Sequence, residues 1–294
     1  TGFVMAGAFM VIESWLNEKA TNENRGTVFG LYMMVTYASI MAGQMAVALA
    51  DVGQASLFMV VGILFCLSLI PTAVSTQATP QPLQNVSLDL RRLYANSPVA
   101  FAACFLIGVA NGTWGTLGAV YGARIGISTA EIALMMSLVV VAGAVLQMPV
   151  GRISDRTDRR YVLAACSVGA ALIGLAVFVA TPRSGAFVIA MTAAYGALAY
   201  TLYSLAVAHA NDHASPGEFA KVSGGLLLLY GYGTMVGPLI GAGLMSTMRP
   251  ESLFLATALA HAAIAGHTLL RIRRRAPVPI EDREAFKTVA ADRA

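Results

Sequence analysis

The side chains of this sequence that could bind a small molecule lie inside long apolar runs. Polar residues are rare in such runs, because hydrocarbon penalises a polar group that faces neither a partner nor a cavity. Such polar residues can offer a ligand hydrogen bonds and aromatic contacts. A tyrosine can also fill a core or anchor a helix at the membrane interface. Six of them form pairs at helical spacing that would share one helix face: Asn111 with Trp114, Tyr200 with Tyr203, and Tyr37 with Gln44. We expect this set to line a cavity.

Ionisable side chains are absent from the middle of every complete apolar run, histidine excepted. His261 and His267 lie well inside such a run, and His209 lies near the end of another. A proton-driven process needs a titratable group, usually a carboxylate or a histidine. His261 is better explained as a packing residue, so we expect any coupling carboxylate outside this sequence.

Catalytic and cofactor motifs are not found in the sequence. There is no Gly-x-x-x-x-Gly-Lys-Ser/Thr phosphate loop, no His-Glu-x-x-His pair and no defensible Ser/His/Asp arrangement. The three cysteines are far apart, without the spacing of a metal site or a disulfide framework. The sequence therefore predicts no enzyme, no cofactor and no metal.

A charged loop, residues 151–160, separates two of the apolar runs. It reads Gly-Arg-Ile-Ser-Asp-Arg-Thr-Asp-Arg-Arg. Hydrocarbon cannot hold this much charge, so the segment must lie at a membrane surface. Short cytoplasmic loops collect Lys and Arg, so its four arginines predict the cytoplasmic side.

The composition is that of a polytopic helical membrane protein. Of the 294 residues, 57% are hydrophobic and only 12% are charged, whereas a soluble domain has nearer a quarter charged. The net charge of +4 does not indicate nucleic-acid binding, since the basic residues sit in loops that flank apolar runs. A spanning helix needs about 20 apolar residues. The sequence predicts nine spans, the first of them short, near 1–14, 28–50, 56–74, 98–121, 130–150, 161–181, 185–208, 222–245 and 252–270.

The alternation of the loops predicts the topology. On this scheme nearly all Lys and Arg residues fall on the side of the charged loop, and only Arg124, Arg183 and Arg249 fall opposite. The longest loop reads first as a linker and then, from Ser87 as N-cap, as a short amphipathic helix. The predicted domains are the rest of a first bundle at 1–74, a cytoplasmic linker at 75–97, a six-helix bundle at 98–272 and a cytoplasmic tail at 273–294. A repeat supports two bundles, because residues 17–21 match residues 211–215 in type.

The pattern Gly-x-x-x-Asp-Arg-x-x-Arg-Arg of the charged loop resembles the signature loop of the Major Facilitator Superfamily of secondary transporters. Residues 13–17, 24–26 and 32–34 more narrowly resemble its bacterial YcaD-like branch. The resemblance implies an all-α membrane bundle of which helices 4–12 of 12 are present, in an N-terminally truncated chain. It also implies that Gly151, Asp155, Arg156, Arg159 and Arg160 form a gating loop, a cytoplasmic latch that breaks during the transport cycle; a purely topogenic loop is the alternative.

Three local features refine this expectation. Asp155 is predicted to lie just before the next helix, where a carboxylate satisfies free N–H groups. Asp158 stands where the family usually has Gly, so we expect an altered turn and altered charge pairing. Gly233, Gly237 and Pro238 lie in a Gly-rich span and are either a hinge or a static packing seam.

The predicted function is secondary active transport of a small solute by alternating access, coupled to a proton or another ion. The weakly polar candidate cavity favours a neutral or amphipathic solute. The predicted location is the inner (plasma) membrane, multi-pass, with the lipid bilayer as surroundings and with the charged loop and C-terminus cytoplasmic. A non-transporting membrane receptor or scaffold with the same fold is the alternative, and a membrane-embedded enzyme comes third.

Overall fold

The computed structural model describes residues 11–12, 15–16, 25–49, 54–74, 90–214 and 219–274, and nearly all of these are helical. They divide into two compact units, the first containing the described residues up to 74 and the second those from 90 onwards. The helices are α1 Arg25–Ala48, α2 Ser56–Val74, α3 Leu90–Asn96, α4 Pro98–Arg124, α5 Thr129–Arg156, α6 Arg159–Ala180, α7 Gly185–Ala199, α8 Leu202–Asn211, α9 Phe219–Thr247 and α10 Ser252–Ile272.

Within the second unit, the apolar helices give six segments long and apolar enough to cross a membrane, with α7 and α8 together forming one of them. These confirm the last six predicted spans and the all-α membrane fold. In the first unit, α1 and α2 occupy the second and third predicted spans and contain shorter apolar stretches. Most of the first predicted span, the N-cap Ser87 and most of the C-terminal tail lie outside the described residues.

Polar residues at the helix starts explain where the spans begin. The Ser97 hydroxyl accepts from the Ala100 N–H at 3.2 Å, and Pro98 follows at a position where a missing N–H costs nothing. At α5, Ser128 and Glu131 form a reciprocal capping box. Side-chain caps thus mark where these two spans begin.

The ends of the six spans meet as an antiparallel bundle requires. The Arg124 guanidinium donates to the Met245 carbonyl at 3.2 Å, which joins the end of α4 to the end of α9. At the other end of the bundle, the Asn96 amide donates to the Ala210 carbonyl at 3.1 Å, joining α3 to the end of α8. The charged loop lies at this second end, and Arg124, Arg183 and Arg249 lie at the first.

Helices α4 and α9 form the closest packing in the second unit, through glycines on both sides. A Cβ at Gly108 would collide with the carbonyl oxygen of Tyr230, and a Cβ at Gly233 with that of Phe105. Glycines four residues apart let two backbones approach in just this way. Gly237 continues the contact, while the helix runs through Pro238 without interruption. The Gly-rich part of α9 is therefore packed against α4.

One predicted span is not a continuous helix. The segment 185–211 is interrupted at Tyr200 and Thr201, between α7 and α8. There the Thr201 N–H bonds the Leu198 carbonyl three residues back, at 3.3 Å, and the first bond of α8 runs from the Leu205 N–H to the Thr201 carbonyl. The span predicted at 185–208 is therefore present, but it is built from two helices, and neither Gly nor Pro marks the interruption in the sequence.

Candidate functional site

Arg159 is the centre of an ion-pair cluster at the charged-loop end of the second unit. Its Nε donates to Asp212 Oδ2 at 2.8 Å, and its Nη1 donates to Asp155 Oδ1 at 2.9 Å and to Ser154 Oγ at 3.0 Å. The Arg159 side chain is 1% exposed and that of Asp212 is 3% exposed. One buried guanidinium therefore ties together the ends of α5, α6 and α8.

Asp155 does not lie where the sequence predicted it. It belongs to the last turn of α5, and the residue that caps α6 is Asp158, whose carboxylate accepts from the Arg160 N–H at 3.0 Å. The error arises because α5 continues past the apolar run to Arg156. A carboxylate near a helix C-terminus is disfavoured by the dipole. The contact with Arg159 compensates for that position.

Asp158, the residue that departs from the family pattern, pairs with Arg160. Two bonds reach the carboxylate from the guanidinium, Nε to Oδ1 at 3.0 Å and Nη2 to Oδ2 at 2.7 Å. Burial raises the pKa of the Asp158 carboxyl, but the hydrogen bonds from Arg160 outweigh this and hold the pKa below its ordinary value of 3.8. Asp158 thus gives the loop both a helix cap and a bidentate ion pair.

The remaining members of the predicted gating loop differ in their surroundings. Gly151 is buried within α5, and Arg156 is exposed at its end. The ion pairs that Arg159 and Arg160 make with Asp155, Asp158 and Asp212 lie within the second unit. A latch that these residues make and break during a transport cycle stays a prediction.

A second group of polar side chains surrounds the interruption between α7 and α8. The rings of Tyr203 and Tyr230 lie 5.0 Å apart, which joins α8 to α9. The Asn111 amide of α4 lies beside the Tyr230 hydroxyl. Asn111 is 9% exposed, and its Oδ1 has no hydrogen-bond partner. Two predicted cavity residues, Asn111 and Tyr203, thus come together through Tyr230, which the sequence analysis missed.

Helix α5 adds a further polar contact at this level. The Gln147 amide donates to Ser204 Oγ at 3.0 Å, and both residues lie within the apolar part of the bundle. Tyr200 is half-buried at the interruption, where its Cβ packs against Gly143. We name Asn111, Gln147, Tyr200, Tyr203, Ser204 and Tyr230 the central polar cluster.

Trp114 lies apart from this cluster, in an aromatic core. It is 1% exposed, and its ring centroid is 5.6 Å from that of Phe254 and 6.1 Å from that of Tyr195. The Tyr195 hydroxyl lies 3.1 Å from His261 Nε2, and His261 is fully buried. These are the surroundings of packing residues, in line with the interpretation of His261. A contact between Trp114 and a solute stays a prediction.

Tyr37 and Gln44 belong to the first unit and lie on α1. Gln44 is half-buried there, and the side chain of Tyr37 lies outside the described residues. Their place in a common cavity with the residues of α4 and α8 stays a prediction.

The three arginines at the opposite end all make contacts at the ends of the helices there. Arg183 Nη1 donates to Glu251 Oε1 at 2.7 Å, and Arg249 Nη2 donates to the Phe178 carbonyl at 2.5 Å. The Arg249 guanidinium also lies 4.2 Å from the Phe178 ring centroid. Among the described residues, no three His, Cys, Asp or Glu side chains are grouped to hold a metal ion.

Sequence analysis missed Asp212 as the partner of Arg159, although a signal for it exists. Asp212 lies in the next loop on the same predicted side, within the repeat at 211–215. A carboxylate on the same predicted side as the arginines of the charged loop is a candidate partner for one of them. Tyr230 had no comparable signal, since a tyrosine in a Gly- and Leu-rich helix is more often a core residue.

The second unit is an antiparallel bundle of six membrane-spanning segments, with basic loops at one end and an interrupted helix at its polar centre. This is the architecture of a multi-pass membrane transport protein. Residues 99–293 match the family model of the Major Facilitator Superfamily, and the chain belongs to that family. This confirms the resemblance drawn from the charged loop.

The chain is also similar to individual members of the family. It is 28% identical over 257 residues to proteins named MFS-type transporter YcaD from Escherichia fergusonii and from Shigella flexneri. The match covers 86% of this chain and 66% of each relative, so the chain spans just under two thirds of their length. The similarity supports the narrower YcaD-like resemblance.

Proposed function

We propose that this protein carries a small neutral or amphipathic solute across the membrane by alternating access, driven by an ion gradient. Members of the superfamily carry small solutes across membranes, and the relatives are named as transporters of this type. On this proposal the charged loop faces the cytoplasm of the cell whose inner membrane holds the protein, as its arginines predict.

The observation that carries the proposal is the central polar cluster. The first N–H groups of any helix lack intrahelical partners, and inside a membrane such groups need protein, water or a ligand. Helix α8 begins within the bundle, with Tyr203 in its first turn. The unpartnered Asn111 Oδ1 adds an acceptor to these donors. A broken helix beside buried hydrogen-bonding groups is a typical solute site of secondary transporters.

The charges of the bundle favour a solute without a strong net charge. Within the six spans, the described Asp, Glu, Lys and Arg residues all lie near the span ends. A charged solute at the centre would have to lose its hydration without a countercharge, which costs several kcal/mol. The tyrosines and amides instead offer hydrogen bonds and aromatic faces.

The Arg159 cluster supports a rigid-body motion of the second unit. Because Arg159 joins the ends of α5, α6 and α8, these helix ends are held together at the charged-loop end. At the opposite end, Arg183 and Arg249 join the loop after α6 to the loop before α10. A bundle tied at both ends can rock as one body around a central site.

Reconstituted full-length protein in liposomes tests the proposal. A panel of uncharged sugars, nucleosides and aromatic compounds would be screened first for thermal stabilisation and then for flux under an imposed pH gradient. For a compound that is carried, Tyr203→Phe and Asn111→Ala should raise the half-saturating concentration about threefold to tenfold, the value of one hydrogen bond. Tyr161→Phe, at an exposed tyrosine near the start of α6, is the matched control.

Three outcomes decide the matter. Flux that responds to the gradient and weakens in both cluster variants supports transport through the central polar cluster. Binding without flux favours the receptor alternative. Flux with unchanged half-saturation in both cluster variants removes the cluster as the solute site.

A further inference from the structure

Three buried polar side-chain atoms without hydrogen-bond partners lie at the end of the second unit opposite the charged loop. In the part of the chain that the structure describes, nothing bonds Tyr121 Oη, Glu251 Oε2 or Ser252 Oγ. All three residues are fully buried, and the loops of the second unit at this end are described throughout. Buried polar groups are almost always hydrogen-bonded, so these atoms call for a partner. We name the three residues the Glu251 site.

The packing of α4 on α10 brings Tyr121 towards Glu251. The rings of Tyr121 and Phe254 meet edge-on, with centroids 5.0 Å apart. Glu251 precedes Phe254 by three residues, and the Phe254 N–H donates to the Glu251 carbonyl at 2.9 Å. Residues at this spacing lie on one face of a helix. The Tyr121 hydroxyl accordingly lies within electrostatic reach of the Glu251 carboxylate without bonding it. Polar groups separated in this way are commonly bridged by water.

The charges around the Glu251 site favour a neutral ligand over an ion. Arg183 Nη1 donates to Glu251 Oε1 and already compensates the carboxylate charge. The other two arginines at this end, Arg124 and Arg249, bind backbone carbonyls, and Glu131 caps α5. A cation would enter a buried site whose negative charge is already paired, and an anion would face the Glu251 carboxylate. Either ion would lose its hydration without a free countercharge, which is costly.

Water has the hydrogen-bonding capacity that these atoms require. An ionised carboxylate only accepts hydrogen bonds, whereas phenol and serine hydroxyls both donate and accept. One water molecule can donate to Glu251 Oε2 and accept from the Tyr121 hydroxyl, and the Ser252 hydroxyl offers a third bond. A buried water typically makes two to four such bonds to polar groups that are otherwise unsatisfied.

We propose that the Glu251 site binds one water molecule, which joins α4 to the start of α10 beside the ion pair of Arg183. The water supplies the donor that Glu251 Oε2 lacks and gives the Tyr121 hydroxyl a partner. The Tyr121 hydroxyl then stabilises the fold, whereas an unbonded hydroxyl at this depth would destabilise it. This water is held whatever solute the protein carries.

X-ray footprinting of the full chain in neutral detergent tests for the water. Radiolysis converts water, whether bulk or bound, into hydroxyl radicals that oxidise the side chains beside it. Tyr121 and Tyr195 are both fully buried, and the Tyr195 hydroxyl lies 3.1 Å from His261 Nε2, so Tyr195 is the matched control. Tyr121 should be oxidised, whereas Tyr195 should show no oxidation above background.

The melting temperature gives a second test, whose sign separates the alternatives. If a water bonds the Tyr121 hydroxyl, Tyr121→Phe removes a hydrogen bond. The variant should then melt about 2–4 °C lower, as Tyr195→Phe should. If the hydroxyl has no partner, Tyr121→Phe removes a buried unsatisfied group and should raise the melting temperature.

Three results would overturn the inference. The first is oxidation of Tyr121 no greater than that of Tyr195, which would indicate a dry site. The second is a Tyr121→Phe variant that melts at or above the temperature of the unchanged protein. The third is stabilisation of the unchanged protein by sodium chloride relative to choline chloride that Tyr121→Phe abolishes, which would indicate a small cation in place of water.

Discussion

Arg183 Nη1 donates to Glu251 Oε1 over 2.7 Å and joins an exposed arginine to a buried carboxylate. The side chain of Arg183 is 61% exposed, and that of Glu251 is only 1% exposed. The carboxylate has a second buried oxygen, Oε2, without a hydrogen-bond partner. The guanidinium of Arg183 is therefore the main group that compensates for burying the Glu251 carboxylate.

Removing that guanidinium alone should lower the stability of the fold more than removing both charges. Arg183→Gln leaves a buried carboxylate without a cation, a change that costs about 3–5 kcal/mol in buried pairs. Arg183→Gln/Glu251→Gln removes the uncompensated charge and should recover most of the loss. The melting temperature in neutral detergent measures both variants. Equal melting temperatures of the single and double variants would contradict the account.

The two carboxylates that hold Arg159 should differ in their contribution to stability. Asp212→Asn removes a charge whose side chain is 3% exposed, whereas the Asp155 side chain is 28% exposed and better solvated. Asp212→Asn should therefore lower the melting temperature more than Asp155→Asn. The reverse order would show that the contact between Asp155 and Arg159 dominates the cluster.

Asp158 should stabilise the charged loop in a way that depends on pH. Its pKa is lower in the folded protein than in an unfolded chain, so folding favours the ionised carboxylate. The stabilisation is fully present above the ordinary, unfolded pKa of 3.8 and is lost as the pH falls through the lower, folded pKa. Asp158→Asn should thus lower the melting temperature by a constant amount from pH 7 to about pH 5, and by less below about pH 4.

A companion substitution tests the departure from the family pattern. Asp158→Gly introduces the usual residue of the family, but here it removes the cap of α6 and the partner of Arg160. Loss of the cap alone costs a few tenths of a kcal/mol for Gly and about 1 kcal/mol for Ala, so Asp158→Ala should be the less stable variant if capping dominates. Equal losses of melting temperature in the two variants would indicate that the ion pair with Arg160 dominates.

The spans were predictable because a bilayer demands about 20 apolar residues and displaces charge to the loops. The contacts between the charged loop and other loops were not predictable, since no periodicity in the sequence indicates that Arg159 meets the distant Asp212. The position of Asp155 shows the limit at helix ends, where a polar turn continued α5 beyond its apolar run. At the interruption, Tyr200 packs against Gly143 of α5, a contact that the local sequence of α7 does not reveal.

The two glycines Gly231 and Gly233 of α9 should respond oppositely to alanine. At Gly231 no atom lies within 4 Å of an added Cβ, so Gly231→Ala should be neutral or should stabilise the helix by up to about 1 kcal/mol. At Gly233 the added Cβ meets the Phe105 carbonyl and lies 2.8 Å from the Val109 nitrogen. Helices α4 and α9 would have to separate, at a cost of about 1–3 kcal/mol.

The same pair distinguishes a seam from a hinge. If α9 serves as a static seam, Gly233→Ala should lower the melting temperature while Gly231→Ala leaves both stability and flux unchanged. If α9 bends during transport, Gly231→Ala should reduce flux at unchanged melting temperature, because alanine stiffens the helix where nothing else touches it. The close approach of Gly233 to α4 already gives this glycine a packing role, so we expect the seam.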